Sequence, residues 1–190
     1  MAGWDQVKWT QARQVADQMK LDPASLDDPG ADPKSGYLKL RNESKVDVAV
    51  RYLGHALPRL EAVAWAAKLL RGWSRTADPG LAERQALDCV MRWLEEPTDE
   101  YRRAAQEAAE RAGDKSAERL LGYAVFMSGG SISQPDLPAV QPAQQVCGAL
   151  ASSAVLVAAY RTDDPKAALA SACDVGEKVA ELGVKALAAK

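Results

Sequence analysis

LPRLEAVAWAAKLLRGW, residues 57–73, decides the fold. Pro58 suits the first position of a helix, where a missing N–H costs nothing. Beyond Leu60 the run is almost wholly apolar, and only Glu61, Lys68 and Arg71 carry charge. Glu61 and Lys68 are two helical turns apart and share one narrow stripe. A helix that is apolar on nearly every side is buried in protein or in lipid. Charge interrupts this one, and it is shorter than the roughly 20 apolar residues a membrane span needs. It therefore predicts a buried central helix, with the rest of the chain packed around it.

Working outward, Val46 to Leu57 carries a helical apolar pattern that runs into Pro58. Proline disfavours helical backbone in the residue before it, so a corner is predicted at Leu57. Asp78-Pro79 is a strong start signal for a helix with Leu81, Ala86, Leu87, Val90, Met91, Trp93 and Leu94 inside, ended by Pro97. Thr98 caps another, with Asp99 and Glu100 in its first turn. Its inner stripe is Tyr101, Ala104, Ala105, Ala108 and Ala112, and Arg102, Arg103, Glu107, Glu110 and Arg111 read as a solvated face. After Gly113 and Asp114 a helix over 116–127 folds back antiparallel. Residues 128–142 leave the helical pattern. Pro142 opens a long apolar helix, and Asp164-Pro165 caps the last.

Toward the N-terminus, Trp4 to Lys20 reads as an amphipathic helix. Residues 21–36 hold three Asp-Pro pairs and two glycines, a turn-rich linker with at most one short helical turn after Asp22-Pro23. Tyr37 to Leu40 alternates briefly, as a strand stub would. The expected architecture is all-α: a compact bundle of about seven or eight helices, with residues 1–36 as N-terminal helix and linker and 37–190 as the helical domain.

A net charge of -2 gives no pull toward nucleic acid, and no dense basic run with interleaved aromatics is present. Cys89, Cys147 and Cys173 are far apart, odd in number and without a CxxC pair. They read as small buried hydrophobes in a reducing compartment, not as a disulfide framework or a zinc site. The first residues lack the apolar core of a signal peptide, so the cytoplasm is expected. Asp22, Asp27, Asp28 and Asp32 lack the spacing of a calcium loop. No metal or cofactor is expected.

Two constellations remain. The chain's one histidine, His55, would neighbour Arg51 and Arg59 on a helix, with Glu61 nearby. These four outline a pocket for a small-molecule enzyme or binder, with His55 and Glu61 as a proton-transfer pair. The plainer reading is a histidine that fixes the corner at Pro58 through a backbone hydrogen bond. Ser128, Gly129, Gly130 and Ser131 form a polar loop whose N–H groups would suit an anion, or simply a helix exit. Among the five tryptophans, Trp4 and Trp9 lie near the chain end and are expected to be exposed, as interface aromatics are.

RYLGHALPRLEAVAWAAKLLR (51–71), RWLEEPTDEYRRAAQEAAE (92–110) and YAVFMSGGSI (123–132) resemble an uncharacterised family of bacterial all-helical proteins over residues 45–185. HALPRLEAVAWA, residues 55–66, is the most specific part of the likeness. The family is a domain of unknown function associated with type VI secretion gene neighbourhoods. The resemblance implies a cytoplasmic accessory or adaptor. With no paired nucleophile, metal set or cofactor loop in the sequence, the expected function is protein–protein interaction without catalysis, through the Trp4 and Trp9 helix, the 128–142 crossover with its 128–131 loop, or both. The alternative is a small-molecule pocket near His55 and the 128–131 loop.

Overall fold

Polar residues at the helix starts are read out directly in the structure, a computed structural model that describes residues 3–43, 45–77, 79–134 and 136–188. Among these residues there are nine α-helices and no strand. They are α1 (Ala12–Gln18), α2 (Pro33–Asn42), α3 (Val46–Ala56), α4 (Arg59–Ala77), α5 (Leu81–Glu95), α6 (Asp99–Arg111), α7 (Ala117–Phe126), α8 (Gln144–Ala159) and α9 (Pro165–Leu182). Thr98 accepts from the Tyr101 N–H at 3.3 Å, Ser116 from Arg119 at 3.1 Å and Asp164 from Ala167 at 3.0 Å. Each such cap stabilises its helix by about 1 kcal/mol.

Asp32 caps α2 in the same way, accepting from Ser35 N–H at 3.2 Å, with Pro33 in the first turn. Tyr37 to Leu40 is therefore helical, not a strand stub: the Asp-Pro pair starts a helix here as it does at α9. The helix expected over 4–20 is confined to Ala12–Gln18, because Trp4 and Trp9 are used in long-range contacts that a continuous helix would not permit. The start signal at Asp78 lies outside the described residues. α5 begins at Leu81 after Gly80, and Leu81 is exposed rather than inside. Leu57 has extended backbone, the corner that Pro58 requires.

α4 is the buried helix its composition demands. Ala62, Val63, Trp65, Ala66 and Ala67 are wholly enclosed, and the Trp65 indole N–H donates to the Ala172 carbonyl at 2.9 Å. Lys68 and Arg71 keep its outer edge in solvent. α8 shares the centre, flanked by α3, α4, α7 and α9. Its contact with α3 is backbone on backbone. A Cβ placed on Gly148 would lie 2.2 Å from the Gly54 carbonyl oxygen, and one on Gly54 would lie 2.6 Å from that of Gly148. α6 and α7 pair as the expected hairpin, with Gly122 set against Ala105 and Ala109.

The N-terminal segment is part of the same core. Trp4 packs on Tyr37 with ring centroids 5.1 Å apart, and the Tyr52 hydroxyl donates to the Ala12 carbonyl at 3.3 Å. The Gln6 N–H donates to the Ala180 carbonyl at 3.0 Å. α2 is sewn to α9 by Lys34–Glu181 at 2.8 Å, by the Tyr37 hydroxyl donating to Glu177 at 2.9 Å, and by Arg41 pairing with Asp174 and Glu177. No helix among the described residues is long and apolar enough to cross a membrane.

Candidate functional site

Between α7 and α8 the chain makes one long excursion, and an arginine from α6 holds its base. Arg102 is 4% exposed, although it sits in a run of charge. It donates to the Phe126 carbonyl at 2.6 Å and to the Ser131 carbonyl at 2.8 Å, and pairs with Asp99 on its own helix. Its guanidinium lies 4.8 Å from the Phe126 ring centroid, a cation–π contact. Arg103 donates to the Ser131 and Ser133 carbonyls at 3.2 and 3.0 Å. Arg59, from the first turn of α4, donates to the Ser128 carbonyl at 3.0 Å. Hydrogen bonds from Arg102 and Arg103 hold the Asp99 carboxyl below the usual carboxylate range.

In the Ser128, Gly129, Gly130, Ser131 loop it is thus the Ser128 and Ser131 carbonyls that these arginines engage. The Ser128 N–H is already spent on the Val125 carbonyl, which closes the end of α7. Beyond the clamp the loop closes on itself: Ile132 N–H donates to the Val140 carbonyl at 2.9 Å, and Val140 N–H to the Ser131 hydroxyl at 3.1 Å. Its tip presents Leu137 at 55% and Val140 at 50% exposure. The solvated face expected to include Arg102 is corrected at this residue. It lies three and seven residues before Ala105 and Ala109 and so shares their buried face.

The expectation of an exposed tryptophan pair is corrected. Trp4 is buried against Tyr37, and Trp9 is half-buried, its indole N–H donating to the His55 carbonyl at 3.0 Å. Both rings help to close the core that the short α1 leaves open, so they do not form an exposed aromatic pair.

His55 lies at the end of α3, 8% exposed. Its Nδ1 is buried and has no hydrogen-bond partner, so the ring does not fix the corner through the backbone. His55 and Arg59 line a cavity of about 100 Å³ together with Lys8, Gln18, Gln144 and Gln145. Arg51 and Glu61 do not line it, and the 128–131 loop borders a different hollow with Trp93 and Arg102. One helical turn separates Arg51 from His55, but Arg51 points to solvent while His55 turns inward. The proposed proton-transfer pair of His55 and Glu61 is thus not assembled in this cavity. Cys147 and Cys173 are buried thiols, and burial pushes Cys147 up to about 12, which makes it inert.

Burial, with a smaller contribution from Arg51, lowers the His55 pKa to about 4. A base depressed in the fold takes up its proton more readily when unfolded. Its contribution to stability is intact above the unfolded value near 6.5 and is lost as the pH falls toward 4. From pH 7 to pH 5 this loss comes to about 2 kcal/mol. Denaturation of wild type and of His55→Gln at both pH values measures it. The variant should show a shallower fall over that interval, and equal slopes would mean that His55 is not desolvated.

A family model described as a family of unknown function, DUF6931, matches residues 37–180. That interval holds α3 to α8 entire, and with them His55, Arg102 and the clamped loop. No curated protein and no solved structure matches the chain. On the family match, which covers well over half of its length, the chain belongs to DUF6931, a family of unknown function.

Proposed function

We propose that the protein is a non-enzymatic binding protein whose recognition element is the excursion over residues 131–142. The observation that carries this reading is the pairing of a rigid base with an apolar tip. A buried arginine and its neighbour anchor the Ser131 and Ser133 carbonyls, while Leu137 and Val140 face solvent. Solvent-facing apolar side chains on a preorganised loop lower the ordering cost of association. Loops held by a rigid scaffold carry much of protein recognition. The partner is a protein with an apolar cleft. In line with the sequence resemblance, that partner belongs to a bacterial type VI secretion apparatus, and the protein acts as its cytoplasmic accessory. Three free thiols suit a reducing compartment.

Leu137→Asp/Val140→Asp tests the reading. Both positions are exposed, so the double variant should keep the wild-type melting temperature, since surface changes stay within about 0.5 kcal/mol. Affinity capture with quantitative mass spectrometry should recover a specific protein with wild type and at least about tenfold less with the variant, a loss of roughly 1.4 kcal/mol. Equal recovery would remove the loop from the interaction.

A further inference from the structure

α4 and α5 follow one another in the chain but are not each other's main partners in space. α4 packs chiefly on α8, and α5 on α6 and α7. Between them lies a groove of about 480 Å³. Ala64 and Ala67 line it from α4, and Met91 and Leu94 from α5. Leu187, from the turn Gly183–Leu187, completes the apolar lining. Alanines facing longer side chains leave a trough where a closed seam would need larger residues.

Gly72 lines the same groove. It is exposed, interior to α4, and a Cβ on it would meet nothing within 4 Å. Glycine inside a helix costs stability relative to alanine, and no steric contact within the chain accounts for it here. Such a glycine lets another backbone come close.

The groove has the form of a seat for a helix. Ala64, Ala67, Lys68 and Arg71 recur at i, i+3, i+4 and i+7, so one stripe of α4 faces it. Followed back one turn, the stripe reaches Leu60, an exposed apolar side chain. From Leu60 to Gly72 the helix rises about 18 Å, or about three turns. An amphipathic helix laid in a groove anchors itself through side chains at this same spacing. The flexible Met91 adapts to such anchors.

Charge selects the partner. Lys68 and Arg71 are exposed and no acidic residue lines the groove, although the chain carries a formal net charge of -2. Lys68 uses one donor on the Leu187 carbonyl at 3.1 Å. Arg71 makes no ion pair among the described residues. Carboxylates beside the apolar stripe of a partner are drawn to these two cations, and a basic flank is repelled. With two cations and no aromatic side chain in the lining, the groove does not suit a nucleic acid.

We propose that the groove between α4 and α5 docks an acidic amphipathic helix of a partner protein. Its apolar side chains lie between Ala64, Met91 and Leu94, and its carboxylates meet Lys68 and Arg71. This surface is separate from the loop over 131–142 and stands without it.

Two labelled peptides of about 16 residues, long enough for marginal helicity, test the assignment. Both carry leucines at i, i+4, i+7 and i+11. One has glutamates flanking them and the other lysines. Each is titrated with the full chain at low salt, and fluorescence anisotropy is read. The glutamate peptide should saturate and bind at least about tenfold tighter than the lysine peptide. Arg71→Glu, an exposed change that leaves the fold intact, should reverse that order. Gly72→Leu should keep the wild-type melting temperature or raise it, and should weaken the glutamate peptide by at least about tenfold, because the new side chain fills the groove. Leu137→Asp/Val140→Asp should bind it as wild type does. No saturation by the glutamate peptide up to about 1 mM, equal affinity for the two peptides, or an unchanged order in Arg71→Glu would each overturn the proposal. A wild-type dimer in sedimentation that Gly72→Leu dissolves would overturn it too, by giving the groove to a second copy of the chain.

Discussion

Gly148→Ala is expected to destabilise the protein by about 3 kcal/mol, at the upper end of what overpacking costs. At this chain length that corresponds to a drop of roughly 6–12 °C in melting temperature. Helix propensity alone predicts the opposite sign, since alanine is favoured over glycine inside a helix by about 0.5–1 kcal/mol. The clash wins because the atom it meets, 2.2 Å away, is the Gly54 carbonyl oxygen. Backbone of that kind has no rotamer in which to escape, so α3 and α8 must part. Parting them disturbs the buried Ser152, whose hydroxyl donates to the Gly148 carbonyl at 2.8 Å. Gly72 supplies the comparison. A Cβ there meets nothing within 4 Å, so Gly72→Ala should show the propensity gain of about 0.5–1 kcal/mol undisturbed. Urea denaturation of the two variants separates the effects. A Gly148→Ala loss below about 1 kcal/mol would show that the two backbones are not in contact.

Arg102→Ala should cost about 1–3 kcal/mol, and it should also loosen the recognition loop. The side chain is the donor to the buried Phe126 carbonyl, and a buried acceptor left unpaired costs about that much, whereas the part-buried Ser131 carbonyl keeps Arg103 at 3.2 Å. The ion pair of Arg102 with Asp99 adds little, because the Asp99 side chain is 61% exposed and screened. Arg102→Lys is the sharper variant. One ammonium cannot reproduce a planar fork that serves Asp99 and two carbonyls at once. The lysine variant should therefore remain folded but be cut faster between residues 128 and 142 under limited proteolysis. It should also lose partner affinity although Leu137 and Val140 are untouched. Unchanged protection of the loop in Arg102→Lys would mean that Arg59 and Arg103 hold it unaided.

Much of the fold was written in local signals. Thr98, Ser116 and Asp164 announce helix starts by their own chemistry, and Leu57 is forced into a corner by the residue after it. Asp32-Pro33 carries the same announcement but is embedded among two other Asp-Pro pairs, which disguised a helix as a linker. The N-terminal helix was overextended for another reason. Trp9 is settled by the His55 carbonyl, 46 residues away, and Trp4 by Tyr37. No periodicity within residues 4–20 encodes those partners. The site was legible in part. His55 and Arg59 do share a cavity, but Lys8, Gln18 and the start of α8 reach it only through tertiary packing. Spacing along one helix placed Arg51 beside His55 without saying which of the two would turn inward.

The seam between α2 and α9 has a consequence for the order in which the molecule assembles. Arg41 and Asp174 are 133 residues apart in the chain, whereas α5, α6 and α7 meet their sequence neighbours across short connections. Closing a long loop costs entropy before any contact rewards it, so the consecutive hairpins can form while the two ends still diffuse. The side-chain seam between α2 and α9 is then expected among the last contacts to lock. Because charged side chains join much of it, dissolved salt should govern its breathing more than that of the apolar centre.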